Sequence, residues 1–316
     1  MDYKIDFNSI NERYKVDKAS NEIIKELKTY GRSTGDIEEI NNLLTYNLSL
    51  KGKRIRLIKL ITISRLTGRL NNLTKKIIYA MELANSAIFI HDDIIDHDLR
   101  RKGKPTLNSL VGYEKALLIG NILHSIACKE LCKLCDCNKN KEIIVEILNS
   151  LAIEHAGQYS DINFRWNFCH SLKDWERMIM RHSAYYIIST LIGIAKLNKA
   201  DKKIIRAIRS YEENCTLAGA AEDALLGFLG KKPAGDLKNG SFTILTSFAF
   251  KNNPKRILKG PDLLRREINE SKAIDLTLRY ISKRVRKAVK ALDSIKDCYE
   301  KEVLIFLARQ ILDEIK

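Results

Sequence analysis

Apolar residues recur at helical spacing along almost the whole chain, as in Ile23-Ile24-Leu27, Ile40-Leu43-Leu44-Leu48 and Ile77-Ile78-Met81-Leu83. Side chains three and four positions apart share one face of an α-helix, so this pattern predicts about ten to twelve amphipathic helices and an all-α fold. Breaks are expected near residues 31–35, 51–53, 67–72, 100–108, 136–141, 169–173, 231–240 and 252–261. None is a long Pro/Ser linker, and no repeat of solenoid length is visible. Residues 1–316 therefore read as a single domain, a large helical bundle around a central cavity. Residues 184–197 are apolar on nearly every side, which places them in the middle of such a bundle.

Composition supports the helical reading. Only 4 Pro and 15 Gly punctuate 316 residues, too few for a many-stranded protein, and 45% hydrophobic residues supply a substantial core. The balance of 55 Lys+Arg against 39 Asp+Glu gives +16, which favours an anionic partner. The basic residues are spread along the chain without an arm, an aromatic-interleaved stripe or finger spacing, so nucleic acid is not the expected partner. Residues 1–14 lack the layout of a secretory signal, and the longest apolar run, 184–195, is interrupted and too short to span a bilayer. A cytoplasmic protein without stable membrane insertion is expected. Four of the seven cysteines, Cys128, Cys132, Cys135 and Cys137, follow His124 closely. Thiolates on successive turns can converge on zinc, but a single cluster at a Leu-rich helix end reads more simply as reduced thiols.

The chemistry concentrates at His91-Asp92-Asp93-Ile94-Ile95-Asp96. On a helix predicted over residues 75–98, Asp92 and Asp96 point the same way. Hard anionic ligands on one face suit Mg²⁺, which keeps several waters and is completed by substrate phosphate oxygens. A solvated acidic helix end is the plainer alternative, and the almost wholly apolar stretch 84–90 speaks against it. A basic turn containing Arg101 and Lys102 follows the acidic cluster, and a second basic knot, Lys51-Gly52-Lys53-Arg54-Ile55-Arg56, opens an earlier helix. Cations there can hold phosphate oxygens that a metal does not reach, and a helix start adds free N–H groups. Two cationic sites beside one metal site suggest two phosphorylated substrates.

With these motifs in place, the sequence resembles the trans-polyprenyl diphosphate synthases, the farnesyl and geranylgeranyl diphosphate synthase family, from about residue 51 to 246. Asp92, Asp93 and Asp96 match the first aspartate-rich motif, and Arg101-Lys102-Gly103-Lys104-Pro105-Thr106 matches the basic stretch after it. Gly52, Lys53, Arg54 and Arg56 match the stretch that holds isopentenyl diphosphate, and Gly157, Gln158 and Asp161 match the Gly-Gln-x-x-Asp stretch. The resemblance implies an isoprenoid-synthase bundle, Mg²⁺, isopentenyl and allylic prenyl diphosphates as substrates, and a homodimer or a heteromer with another synthase. It also implies ionisation of the allylic diphosphate, with the departing pyrophosphate taking the proton.

Departures fall on the other wall of the implied site. The second aspartate-rich motif aligns with residues 218–226, where Glu222 and Asp223 keep two acidic positions while Leu226 and Gly219 cannot bind metal. The family's Lys-Thr pair aligns with His182 and Ser183, a later lysine with Ser241, and a histidine with Asn85. Each change removes a cation or donor from a diphosphate. A weakly active or inactive regulatory subunit of a heteromeric synthase, and a terpene synthase or transferase to another acceptor, are the alternatives to an elongating enzyme. Retention of Lys53 and Arg56 argues against both. Small residues before the first motif, Ala84 and Ala87 beside Ile88, imply an open tunnel floor and a product of about twenty carbons or more, unless Tyr113 or Phe89 supplies the stopper.

Overall fold

The computed structural model describes residues 5–31, 38–50, 52–135, 138–232, 235–251 and 260–315. Lys51, Cys137 and much of the expected breaks at 31–35 and 252–261 lie outside the described residues. The chain divides into two compact units, residues 1–145 and 146–316.

The first unit holds α1 (Phe7–Tyr14), α2 (Val16–Gly31), α3 (Glu38–Ser49), α4 (Ile55–Thr67), α5 (Asn72–Ile95), the strands β1 (Arg100–Arg101) and β2 (Lys104–Pro105), α6 (Leu107–Val111) and α7 (Tyr113–Cys132). α5 starts where Asn71 Oδ1 accepts from the Thr74 N–H at 2.9 Å, a cap four residues before the predicted start. Its residues from Ile77 to Ile90 are buried with the exception of Phe89. α7 packs closely on α5 at Gly120, where a Cβ would stand 2.5 Å from His91 Nε2. Residues 99–106 form a hairpin in which Arg100 faces Pro105 and Arg101 faces Lys104. Lys102 and Gly103, both at positive φ, make its two-residue turn. Thr106 Oγ1 and Asn108 Nδ2 both donate to the Asp98 carbonyl, and Tyr46 donates to the Pro105 carbonyl, which anchors the hairpin beside the end of α5.

α8 (Asn138–Phe164) carries the boundary between the units. The second unit continues with α9 (Leu172–Ile179), a π-helical turn (Met180–Ala184), α10 (Tyr185–Leu197), α11 (Lys202–Phe228), α12 (Gly235–Asn239), α13 (Ile244–Ala249), α14 (Pro261–Glu270), α15 (Ala273–Ala291), a 3₁₀ turn (Leu292–Ser294) and α16 (Tyr299–Asp313). Residues Tyr186 to Ala195 of α10 are all buried, as their apolar run predicts. Tyr280 and Arg284 of α15 both donate to Glu176 of α9, and Arg284 also reaches Asn214 of α11. The Tyr211 hydroxyl donates to the Leu304 carbonyl at 2.7 Å, tying α11 to α16.

The described residues thus contain sixteen α-helices, more than periodicity predicts, because short turns divide continuous apolar patterns. Lys15 in the left-handed region separates α1 from α2, and Gly112 at φ 84° separates α6 from α7. Among the described residues no helix is long and apolar enough to cross a membrane.

Candidate active site

Helix α5 delivers the three aspartates to two different environments. Asp92 and Asp96 stand half-buried on the face that i, i+4 spacing gives them. Asp93 is turned inward and is 1% exposed. Its Oδ1 accepts from Arg101 Nε at 2.8 Å and lies 2.6 Å from Arg101 Nη2, while its Oδ2 has no partner among the described residues. Burial pushes the Asp93 carboxyl up to about 6 in spite of the Arg101 guanidinium. Asp92 and Asp96, two half-buried carboxylates on one helix face, offer the oxygen donors that a hard divalent cation takes. The first motif fits Mg²⁺ on that ground.

The two basic knots come together inside the same unit. The Lys102 ammonium lies so close to Gly52 that a Cβ there would stand 2.8 Å from Nζ. Arg54 donates to the Leu48 carbonyl at 2.5 Å, and Lys53 Nζ lies 5.5 Å from the centre of the Phe7 ring. The guanidiniums of Arg56 and Arg101 lie 4.7 Å and 4.8 Å from the centre of one ring, that of Phe89. Partial desolvation of its ammonium, followed by the charges of Arg54 and Arg101, lowers the Lys102 pKa. Under this cluster lies buried Glu82, which accepts from Asn85 Nδ2 at 3.5 Å. Burial raises the Glu82 carboxyl against the opposing pull of Arg54, Asn85, Arg56 and Lys102.

Sequence reasoning missed the parts played by Glu82 and Phe89. The available signal was position: Glu82, Asn85 and Phe89 continue at helical spacing the stripe that ends at Asp92 and Asp96. The Phe89 ring, one of the two stoppers considered, is engaged by two arginines. Tyr113, the other, is 42% exposed and its hydroxyl meets His97 Nδ1 at 3.2 Å. Ala84 and Ala87 are wholly buried.

In the second unit, Gly157 of α8 meets the π-helical turn so closely that a Cβ would stand 2.3 Å from the His182 backbone nitrogen. The π turn presents His182 and Ser183, with Ser183 Oγ 3.4 Å from His182 Nδ1. Buried Glu154 lies 2.5 Å from His155 Nδ1 and 3.9 Å from His182 Nε2. Gln158 is buried with its Oε1 unpartnered among the described residues, and Asp161 pairs with Arg165 at 3.4 Å. The expected second metal position is different. Lys232 Nζ donates to both oxygens of Glu222 at 3.2 Å and to Asp223 Oδ1 at 2.5 Å, with Glu314 at 3.9 Å. The Lys232 ammonium thus bridges Glu222 and Asp223, the two acidic positions of the second motif. Burial, then the Asp223 charge, pushes Glu222 up to about 7.

The cysteine stretch brings no three ligand atoms together among the described residues, and burial followed by the nearby Cys132 raises the Cys128 thiol.

A family model described as polyprenyl synthetase matches residues 37–281. The chain belongs to the polyprenyl synthetase family. It is 28% identical over 251 residues to a short chain isoprenyl diphosphate synthase of Methanocaldococcus jannaschii, covering 75% of this chain and 74% of that one. It is 26% identical over 291 residues to a geranylgeranyl diphosphate synthase of Methanosarcina mazei, covering 86% and 88%. Its fold matches a polyprenyl synthase of Caulobacter crescentus, solved with calcium and isoprenyl diphosphate, at TM-score 0.82 and 22% identity over 99% of both chains. The expected all-α isoprenoid-synthase fold is thereby shown, and this polyprenyl synthetase chain is a prenyltransferase by family.

Proposed function

We propose that the protein condenses isopentenyl diphosphate with an allylic prenyl diphosphate in the presence of Mg²⁺, giving a product of about twenty carbons or more. The observation that carries this reading is the cluster of Arg54, Arg56, Arg101 and Lys102 beside Asp92 and Asp93. Partly desolvated cations in excess of their carboxylate neighbours are costly until an anion joins them, which makes the cluster a receptor for diphosphate.

In this reading Lys53, Arg54 and Arg56 hold the isopentenyl diphosphate, Arg101 and Lys102 supply further cations to the substrate diphosphates, and Asn85 and buried Glu82 form a polar floor. Asp92 and Asp96 hold Mg²⁺, which when bound neutralises charge on the departing diphosphate. His182 and Ser183, Gln158 and Asp161 serve the allylic diphosphate, and Asp93 sets the position of Arg101. The apolar face formed by Ala84, Ala87 and Ile88 keeps water from the reacting carbons. No step is assigned to a metal at Glu222 and Asp223. The exposed apolar side chains Leu110, Tyr113, Leu117 and Leu118 on α6 and α7 support a homodimer.

Product analysis of the purified chain with Mg²⁺, isopentenyl diphosphate and each allylic diphosphate tests the reading. A Mg²⁺-dependent longer product is expected, and its absence with every allylic substrate overturns elongation. The ammonium of Lys232 within the second motif favours one further reading, a weakly active subunit of a heteromeric synthase; turnover that appears only when a second synthase is added would select it.

A further inference from the structure

The basic residues are spread along the chain, but the acidic residues that offset them are not. Residues 251–290 hold 13 Lys+Arg against 4 Asp+Glu, a net +9 of the total +16. On α15 these cations sort by face. Lys272 at the N-cap, Arg279, Lys283, Arg286, Lys287 and Lys290 are all exposed. At the α-helical turn per residue they fall within one arc of about 120°, which runs about 27 Å along the helix. Asp275 is the one acidic residue exposed in that arc, and none of the six cations has an ion-pair partner among the described residues. Arg284 lies outside the arc, tied to Glu176 and Asn214. Like charges four residues apart, as in Arg279, Lys283 and Lys287, weaken a helix, so the fold carries this face at a cost that an anion would remove. Apolar surface accompanies the cations. Leu276 is 36% exposed within the arc, and beside it α15 and α16 enclose an open groove of about 530 Å³ lined by Leu278, Ser282, Arg309, Leu312, Asp313 and Ile315.

We propose that the exposed face of α15 docks the protein on an anionic lipid surface. The helix lies along the bilayer without entering its core, with its cations at the headgroup phosphates and the neighbouring leucines towards the acyl boundary. A polybasic helix face gains about fivefold in binding to such a surface for each cation brought near it. Long Lys and Arg stems rest on apolar surface while their charged ends stay in water, which suits a basic stripe bordered by Leu276 and the groove. A nucleic acid fits this face less well: no aromatic side chain is exposed on α15 for a base to stack on, and a phosphate backbone has no use for the adjoining leucines. The proposal goes beyond the function proposed above and does not rest on it, since the face uses none of the residues given a part in turnover.

The test is co-sedimentation of the full chain with vesicles of phosphatidylcholine alone and of phosphatidylcholine with about one part in three phosphatidylglycerol. Pelleting is expected with the anionic vesicles only, and binding should fall about tenfold or more as salt is raised from about 0.1 M to about 0.5 M. Arg279→Gln, Lys283→Gln and Lys287→Gln together should weaken binding about 100-fold. Lys272→Gln, Arg286→Gln and Lys290→Gln form a second triple that serves if the first does not fold. The same loss of charge at Lys25, Lys75 and Lys141, exposed lysines of the first unit, should weaken binding less than about threefold, because charges beyond a screening length contribute little. Equal pelleting with neutral vesicles, pelleting that salt does not release, or a folded α15 triple that binds as the natural protein does overturns the proposal. So does an equal loss in the first-unit triple, or a natural chain that leaves both vesicles unbound and instead retards a labelled duplex oligonucleotide at the same salt.

Discussion

Arg101 turns two nitrogens towards a single oxygen of Asp93, Nε at 2.8 Å and Nη2 at 2.6 Å, and so ties the basic hairpin to the first aspartate motif. The middle aspartate of the motif is thereby a partner of the substrate-side cation, while its neighbours Asp92 and Asp96 keep the open face.

This pairing makes Arg101 a determinant of stability as well as of binding. Arg101→Met leaves a carboxylate that is 1% exposed without its counter-ion, and the cost at pH 8 should be about 2–3 kcal/mol. The loss should shrink below pH 6, where Asp93 takes a proton, and the double variant with Asp93→Asn should recover most of it. Urea denaturation in chelator at pH 8 and pH 5 measures both effects; equal losses at the two values would contradict the pairing.

Glu222 should shape the pH dependence of stability in the same direction. Its folded pKa of about 7 lies above the ordinary value of 4.5, so the folded state holds this proton more tightly than the unfolded one. The stability it confers is complete below about pH 4.5 and is lost as pH rises through 7, amounting to about 3 kcal/mol at pH 8. Glu222→Gln should flatten that limb of the stability curve, whereas an unchanged slope between pH 5 and 8 would show that the carboxyl is not perturbed.

The second motif should take up metal only when its ammonium is removed. In the natural protein the count of bound Mn²⁺, read by electron paramagnetic resonance without substrate, should be set by Asp92 and Asp96 and fall with Asp92→Ala. Lys232→Met frees Glu222 and Asp223 and should add a weak site. If Lys232→Met leaves the count unchanged while Glu222→Gln in the natural protein lowers it, the motif already binds metal.

Gly157 should tolerate no side chain. A methyl group there would stand 2.3 Å from the backbone of His182, and backbone cannot yield as a flexible side chain does. Gly157→Ala should cost about 1–3 kcal/mol by overpacking and reduce turnover by displacing the π turn that carries His182 and Ser183. A variant with unaltered melting temperature and unaltered KM for the allylic substrate would refute the close approach.

Local geometry made much of this protein legible in its sequence. A 3.6-residue period fixes which side chains share a helix face wherever the helix goes, so the all-α fold, the buried run at Tyr186 to Ala195 and the common face of Asp92 and Asp96 follow from spacing alone. The motifs around Lys53, Arg56, Arg101 and Gly157 carried the family by the same kind of local order. Tertiary structure alone decided which partners those residues meet. Asp93 faces Arg101, Phe89 lies under two arginines and Lys232 fills the space between Glu222 and Asp223, because each pairing depends on how separate helices and turns are brought together. Spacing along one helix says where a side chain points, but not which charge the fold brings to meet it.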